Sequence, residues 1–125
     1  MSFKILIVDD SKLARMAANK ALNALYPDWT RLEAGSADEA LKVMKESAPD
    51  IALLDFNMPG RDGLDLATEF HQSNPSMPVA VISANRQQEV VSRAGAVNAA
   101  FLPKPLTEQA LGEFLKAAVQ QLNKA

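Results

Sequence analysis

The chain has 125 residues, no cysteine and a net charge of −2, with 48% of its residues hydrophobic and 22% charged. That length supports one domain with a sizeable core, and the balance is too apolar for a disordered chain. The charge offers no bulk attraction for nucleic acid or an anionic membrane, and the missing thiols exclude disulfides, thiolate metal sites and a cysteine nucleophile.

Nothing at the start, Met1-Ser2-Phe3-Lys4, reads as a signal peptide, and no apolar stretch approaches the ~20 residues that span a bilayer. A cytoplasmic protein without membrane insertion or direct nucleic-acid contact is expected, with residues 1–125 forming one domain. No DNA-binding or catalytic segment follows Leu122, so protein contact is the expected output.

Ile5 to Val8 is a short apolar run rich in β-branched residues and predicts a first, central strand, followed directly by Asp9 and Asp10. Leu13, Met16, Ala17, Ala21, Ala24 and Leu25 then recur at helical spacing up to Pro27-Asp28. They predict a first helix with that stripe buried and Asp10 or Ser11 as its cap. Thr30 to Ala34 alternates Leu32 and Ala34 with charged residues, which suits an edge or near-edge strand. Ser36-Ala37-Asp38-Glu39 has the capping-box pattern, and Ala37, Ala40, Leu41, Met44 and Ala48 behind it predict a second amphipathic helix.

Ile51-Ala52-Leu53-Leu54 reads as a third strand buried on both faces, ending in Asp55 and the turn residues Pro59-Gly60. Leu64, Ala67, Phe70 and His71 mark a third helix; His71, with no second ligand in view, reads as a structural or surface residue rather than a phosphodonor. Val79 to Ile82 gives a fourth strand before Ser83-Ala84-Asn85. Val90, Val91 and Ala94 give a thin helical stripe, with Gly95 as the expected cap. Ala99 to Leu102 gives a fifth strand before Pro103-Lys104-Pro105. A last helix carries Leu111, Phe114, Leu115, Ala118 and Leu122, with Thr107 as its N-cap. Alternation of strand and helix five times implies an α/β fold: a parallel sheet with helices on both faces and right-handed crossovers.

In such a sheet the strand ends share one edge, where ligands bind. Asp9, Asp10, Asp55, Ser83 and Lys104 all lie just past a strand, so three carboxylates, a hydroxyl and an ammonium meet there. Two ionised carboxylates ~5 Å apart repel by roughly 3 kcal/mol at an effective dielectric of ~20, so the cluster calls for a cation. Oxygen donors select a hard ion, and few carboxylates plus waters and a phosphoryl group suit Mg²⁺, with Mn²⁺ as a substitute. A carboxylate oxygen of Asp55 can then attack a phosphoryl group, with Lys104 and the Ser83 hydroxyl neutralising its oxygens. Metal binding at this cluster, followed by quenching of Trp29 or by calorimetry, is expected to weaken in Asp10→Ala.

These residues resemble the receiver domain of a two-component response regulator, of the single-domain chemotaxis-regulator type. The matching positions are Asp9-Asp10, Asp55 in Leu53-Leu54-Asp55-Phe56-Asn57-Met58-Pro59-Gly60, Ser83-Ala84, and Lys104-Pro105 after Phe101. The resemblance spans essentially the whole chain. It implies a flavodoxin-like, doubly wound sheet of five strands in the order 2-1-3-4-5 with five helices.

The resemblance further implies that Asp55 is the phosphoacceptor, that Asp10 binds the metal directly and Asp9 mainly through water, and that Asn57 lends its backbone carbonyl. Ser83 and Phe101 would form the switch pair, Phe101 standing where many relatives have Tyr or His. Asn57 and Asn85 would occupy the two positions that tune the phosphoryl lifetime. The implied partners are a sensor histidine kinase or phosphotransfer protein and a downstream protein docking on the fourth helix, fifth strand and fifth helix. Such a protein catalyses only its own phosphorylation and dephosphorylation.

Three other functions compete. A haloacid-dehalogenase-like phosphatase or phosphotransferase places its nucleophile in an Asp-x-Asp motif after the first strand, whereas the candidate here follows the third. A flavodoxin-like FMN protein needs a hydroxyl- and glycine-rich phosphate loop where Asp9 and Asp10 would repel the phosphate. A non-phosphorylated scaffold of the same fold would have no use for the chemical residues.

Overall fold

The computed structural model describes residues 2–58, 61–84 and 88–123. Its strands are β1 (Lys4–Val8), β2 (Thr30–Ala34), β3 (Ile51–Asp55), β4 (Val79–Ser83) and β5 (Ala100–Pro103). They form one sheet in the order β2-β1-β3-β4-β5, each neighbouring pair parallel. The helices are α1 (Lys12–Leu25), α2 (Ala37–Ser47), α3 (Gly63–Ser73), α4 (Gln88–Ala96) and α5 (Glu108–Asn123). A separate antiparallel ladder of two residues a side joins Asn57–Met58 to Arg61–Asp62. This is the flavodoxin-like strand order that the resemblance implies.

The central strands are apolar between their ends because helices cover both faces. Side chains alternate across a strand, so Leu6, Val8, Ala52, Leu54, Val79 and Val81 point to one core layer with α2, α3 and Ala94 of α4. Ile5, Ile7, Ile51, Leu53, Ala80 and Ile82 point to the other, against Ala18, Ala21 and Leu22 of α1 and Leu111, Leu115 and Ala118 of α5. Each fully buried Leu or Ile contributes ~1.5–3 kcal/mol. Edge strand β2 alternates instead, burying Ala34 and half-burying Leu32 while Arg31 and Glu33 face water.

Three sequence expectations change at the level of helix faces. In α1 the buried residues are Ala18, Ala21 and Leu22, while Leu13 is 78% and Met16 55% exposed, and Ala17 and Ala24 also face solvent. The helix carries two apolar stripes, and the one nearer Leu22 docks on the sheet. Its cap is Ser11, whose Oγ accepts the Ala14 amide at 3.2 Å. In α2, Ala48 is not on the buried face but is the exposed left-handed cap, at φ 46°. In α4 the helix runs through Gly95 to Ala96, and the chain turns at Asn98, at φ 59°. Asn tolerates that left-handed conformation better than most residues, and so ends the helix in place of glycine.

The other caps agree with their sequence signals. Ser36 Oγ accepts the Glu39 amide at 3.2 Å, Glu39 reaches back to the Gly35 amide at 3.1 Å, and Thr107 Oγ1 accepts the Ala110 amide at 3.1 Å. His71 is structural: its Nδ1 lies 2.9 Å from the Val97 carbonyl and its Nε2 2.9 Å from the Met77 carbonyl, so the ring ties α3 to both neighbouring connections. Trp29 is buried before β2, stacked on Tyr26 at 4.1 Å and edge-on to Phe3 at 5.3 Å. Thr30 pairs with Lys4 at the start of β1, so Trp29 occupies the edge opposite the strand ends that carry the carboxylates. That distance argues against direct quenching by a metal there and favours calorimetry as the readout.

Candidate functional site

At the C-terminal edge of the sheet, Asp9 follows β1 and Asp55 ends β3, on adjacent strands whose residues pair from Ile5 with Ile51 to Val8 with Leu54. Parity sends both carboxylates to the side covered by α1 and α5. Asp9, Asp10 and Asp55 each offer an oxygen, and these oxygens lie within 4.8 Å of one another; Asp9 and Asp55 are buried and Asp10 is exposed. Lys104, just after β5, donates to Asp55 Oδ1 at 3.0 Å and stands 3.7 Å from Asp9 Oδ2. The Asn57 amide donates to the same Asp55 oxygen at 3.4 Å, and the Ser11 amide to Asp9 Oδ1 at 2.9 Å.

Among the described residues, three carboxylates cluster beside one ammonium. Burial pushes the Asp55 carboxyl up; the Lys104 hydrogen bond opposes this, the Asp9 charge adds to it, and the carboxyl stays above its ordinary value. Burial alone would lower the Lys104 ammonium, but the hydrogen bond to Asp55 and the charges of Asp55 and Asp9 outweigh it and raise the ammonium. The excess of carboxylate over ammonium among the described residues, together with an all-oxygen donor set, fits a hard divalent cation.

Ser83 is buried at the end of β4, paired with Pro103, and its carbonyl accepts the Lys104 amide at 3.0 Å. Asp55 pairs with Ile82, so Ser83 stands one residue past Asp55 on the next strand. Phe101 pairs with Val81, which shares parity with Ser83, so Ser83 and Phe101 lie on one face; Phe101 is half-buried against the core layer of α2, α3 and α4. Asn57 is exposed next to Asp55. Asn85 and the turn residues Pro59-Gly60 lie outside the described residues.

Three contributors were not singled out in the sequence. Gly63 donates its amide to the Phe56 carbonyl at 2.8 Å, and a Cβ there would sit 2.5 Å from the Asp55 carbonyl oxygen, so only glycine lets α3 begin this close to the acid. The signal was Asp62-Gly63, a turn pair that also caps α3: Asp62 Oδ1 accepts the Asp65 amide at 2.9 Å. The other Asp62 oxygen pairs with Arg93 of α4 at 3.2 Å. Arg15, the third, reaches from α1 to the Asp9 carbonyl at 2.6 Å.

The response regulator receiver domain profile matches residues 5–116 of the chain. The chain belongs to the response regulator receiver domain family. Among relatives of this receiver, the positive alginate biosynthesis regulatory protein of Pseudomonas aeruginosa is 37% identical over 91% of the chain and 46% of its own length. The transcriptional regulatory protein PdtaR of Mycobacterium tuberculosis is 33% identical over 94% of the chain and 57% of its own length. The receiver thus spans about half the length of these curated relatives. In fold it superposes on a CheY-like receiver domain protein from Methanospirillum hungatei with a TM-score of 0.88, at 23% identity, covering all of both chains. Among the described residues no helix is long and apolar enough to cross a membrane.

Proposed function

We propose that this receiver takes a phosphoryl group from the phosphohistidine of a sensor kinase or phosphotransfer protein onto Asp55, and that a protein partner reads the product. The observation that carries this reading is the buried Asp55 carboxylate, held by Lys104 and sharing a 4.8 Å oxygen cluster with Asp9 and Asp10. Asp9, Asp10, Asp55 and the Asn57 carbonyl are the groups we assign to Mg²⁺, for which Mn²⁺ is a chemical substitute. When bound, the ion would supply the positive charge that the phosphoryl oxygens and the three acids both require.

Among the described residues Lys104 and the Asn57 amide both engage Asp55 Oδ1, so Oδ2 is the oxygen we assign as nucleophile. Its lone pair forms the new P–O bond as the P–N bond to the donor imidazole breaks, and the imidazole leaves with that bonding pair. The product is an acyl phosphate. Lys104 faces the charge that develops on the transferred group, and the Ser83 hydroxyl donates to one of its oxygens. Movement of Ser83 toward that oxygen opens space on the face it shares with Phe101, which carries the change to the surface of α4, β5 and α5. Asn57 and Asn85 we assign to the rate at which water reaches the acyl phosphate.

An Asp-x-Asp phosphatase reading is not favoured, because the receiver family accounts for the chain and the central acid follows β3, not β1. The test is intact-mass spectrometry after incubation with a small phosphodonor. With Mg²⁺ the wild type should gain one phosphoryl group, and chelation with EDTA or Asp10→Ala should suppress the gain. Equal labelling with and without the metal would refute the reading.

A further inference from the structure

Every polar group of Asp9 is engaged. Its amide donates to the Ala34 carbonyl at 3.1 Å, its Oδ1 accepts the Ser11 amide at 2.9 Å, its Oδ2 faces Lys104 at 3.7 Å, and its carbonyl accepts Arg15 Nη1 at 2.6 Å. The Asp9 carbonyl and the Asp10 amide belong to one planar peptide, so a group that fixes the carbonyl fixes the direction in which Asp10 leaves the strand. Arg15 is itself held: its Nε donates to Glu33 Oε1 on β2 at 3.0 Å, and its side chain is only 18% exposed. Glu33 also balances the guanidinium charge, so Arg15 brings a rigid fork to the carbonyl without adding a net cation to the region.

We propose that Arg15, braced by Glu33, is a positioning residue for the acidic pair, orienting the exposed Asp10 carboxylate for the divalent cation. This rests on the reading of Asp9 and Asp10 as cation ligands. Arg15 acts one step behind the ligands: it touches a backbone atom of the loop and no carboxylate of the cluster. Lysine at this position would keep the charge, but a single ammonium cannot span the Asp9 carbonyl and Glu33 as the planar fork does.

Calorimetric titration with Mg²⁺ and amide hydrogen exchange in metal-free protein test this together. Arg15→Ala should weaken Mg²⁺ binding by about tenfold, as loss of outer supports to metal ligands does, and should speed exchange at the Ser11 amide, which donates to Asp9 Oδ1, without any metal present. Arg15→Lys should stay several-fold weaker than wild type, and Arg15→Ala should add nothing to Asp10→Ala. If Arg15→Ala fails to fold, Glu33→Ala at the half-exposed brace replaces it, with a threefold weakening expected on the order of one lost hydrogen bond. Binding within twofold of wild type in the alanine variant, or full rescue by lysine, would overturn the proposal. Wild-type affinity in Asp10→Ala would instead remove the cation reading, while the metal-free exchange would still decide whether Arg15 orders the loop.

Discussion

Asp55 is held where a carboxylate is costly, and this can be measured without any phosphodonor. Burial, with the Asp9 charge behind it, raises its pKa in the fold despite Lys104. The folded state therefore keeps that proton to higher pH than the unfolded chain does, and stability falls as pH rises from the ordinary carboxylate value through the raised one. The Lys104 ammonium is also raised, so its contribution is present at neutral pH and is lost only as pH climbs through that raised value. Asp55→Asn removes the costly ionisation and leaves Lys104 the company of Asp9. In EDTA at pH 7 the variant should melt a few degrees above wild type, with the gap closing below pH about 4, where both states carry protonated carboxyls. Circular dichroism melts across that range give the answer; a variant less stable than wild type at pH 7 would contradict the cause assigned to the shift.

At the scale of elements, α1 shows where periodicity stops being informative. Two apolar stripes share that helix, and with no knowledge of the sheet beneath, Leu13 and Met16 are as credible core residues as Ala18 and Leu22. Packing against α5 and the sheet chooses the second stripe. Leu22→Ala should cost about 2–5 kcal/mol in urea unfolding, whereas Leu13→Ala should fall within about 0.5 kcal/mol of wild type. Equal effects would mean that the helix is rotated from the face described.

The strands and the acids at their ends were legible because continuous apolar runs closed by Asp, Ser or Lys leave little choice of register. The closing residue of α4 was not. Gly95 offers the usual signal, yet Asn98 adopts the left-handed turn, because the helix has to run on before the chain can enter β5 at Ala100. Arg15 and Gly63 were illegible for another reason: each acts on a main-chain carbonyl, and no side-chain pattern marks a carbonyl that needs a partner or a close approach.

For the whole molecule, parallel topology places the chemistry and the aromatic cluster at opposite edges. Asp9, Asp55, Ser83 and Lys104 gather at the strand ends, while Trp29, Tyr26 and Phe3 pack at the starts, one strand length of about 15 Å away. Ser83 and Phe101 share one face at the reacting edge, and Arg93 of α4 pairs with Asp62; these are the contacts we propose carry the change to the surface of α4, β5 and α5. All of this matters only if the phosphoryl group is carried by Asp55 itself. Borohydride reduces an acyl phosphate on aspartate to homoserine, so treatment of the Mg²⁺-phosphodonor reaction followed by peptide mass spectrometry locates the attachment. Homoserine is expected at position 55 in the wild type and none in Asp55→Asn; reduction at another aspartate, or an unreduced label on Ser83 or His71, would contradict attachment at Asp55.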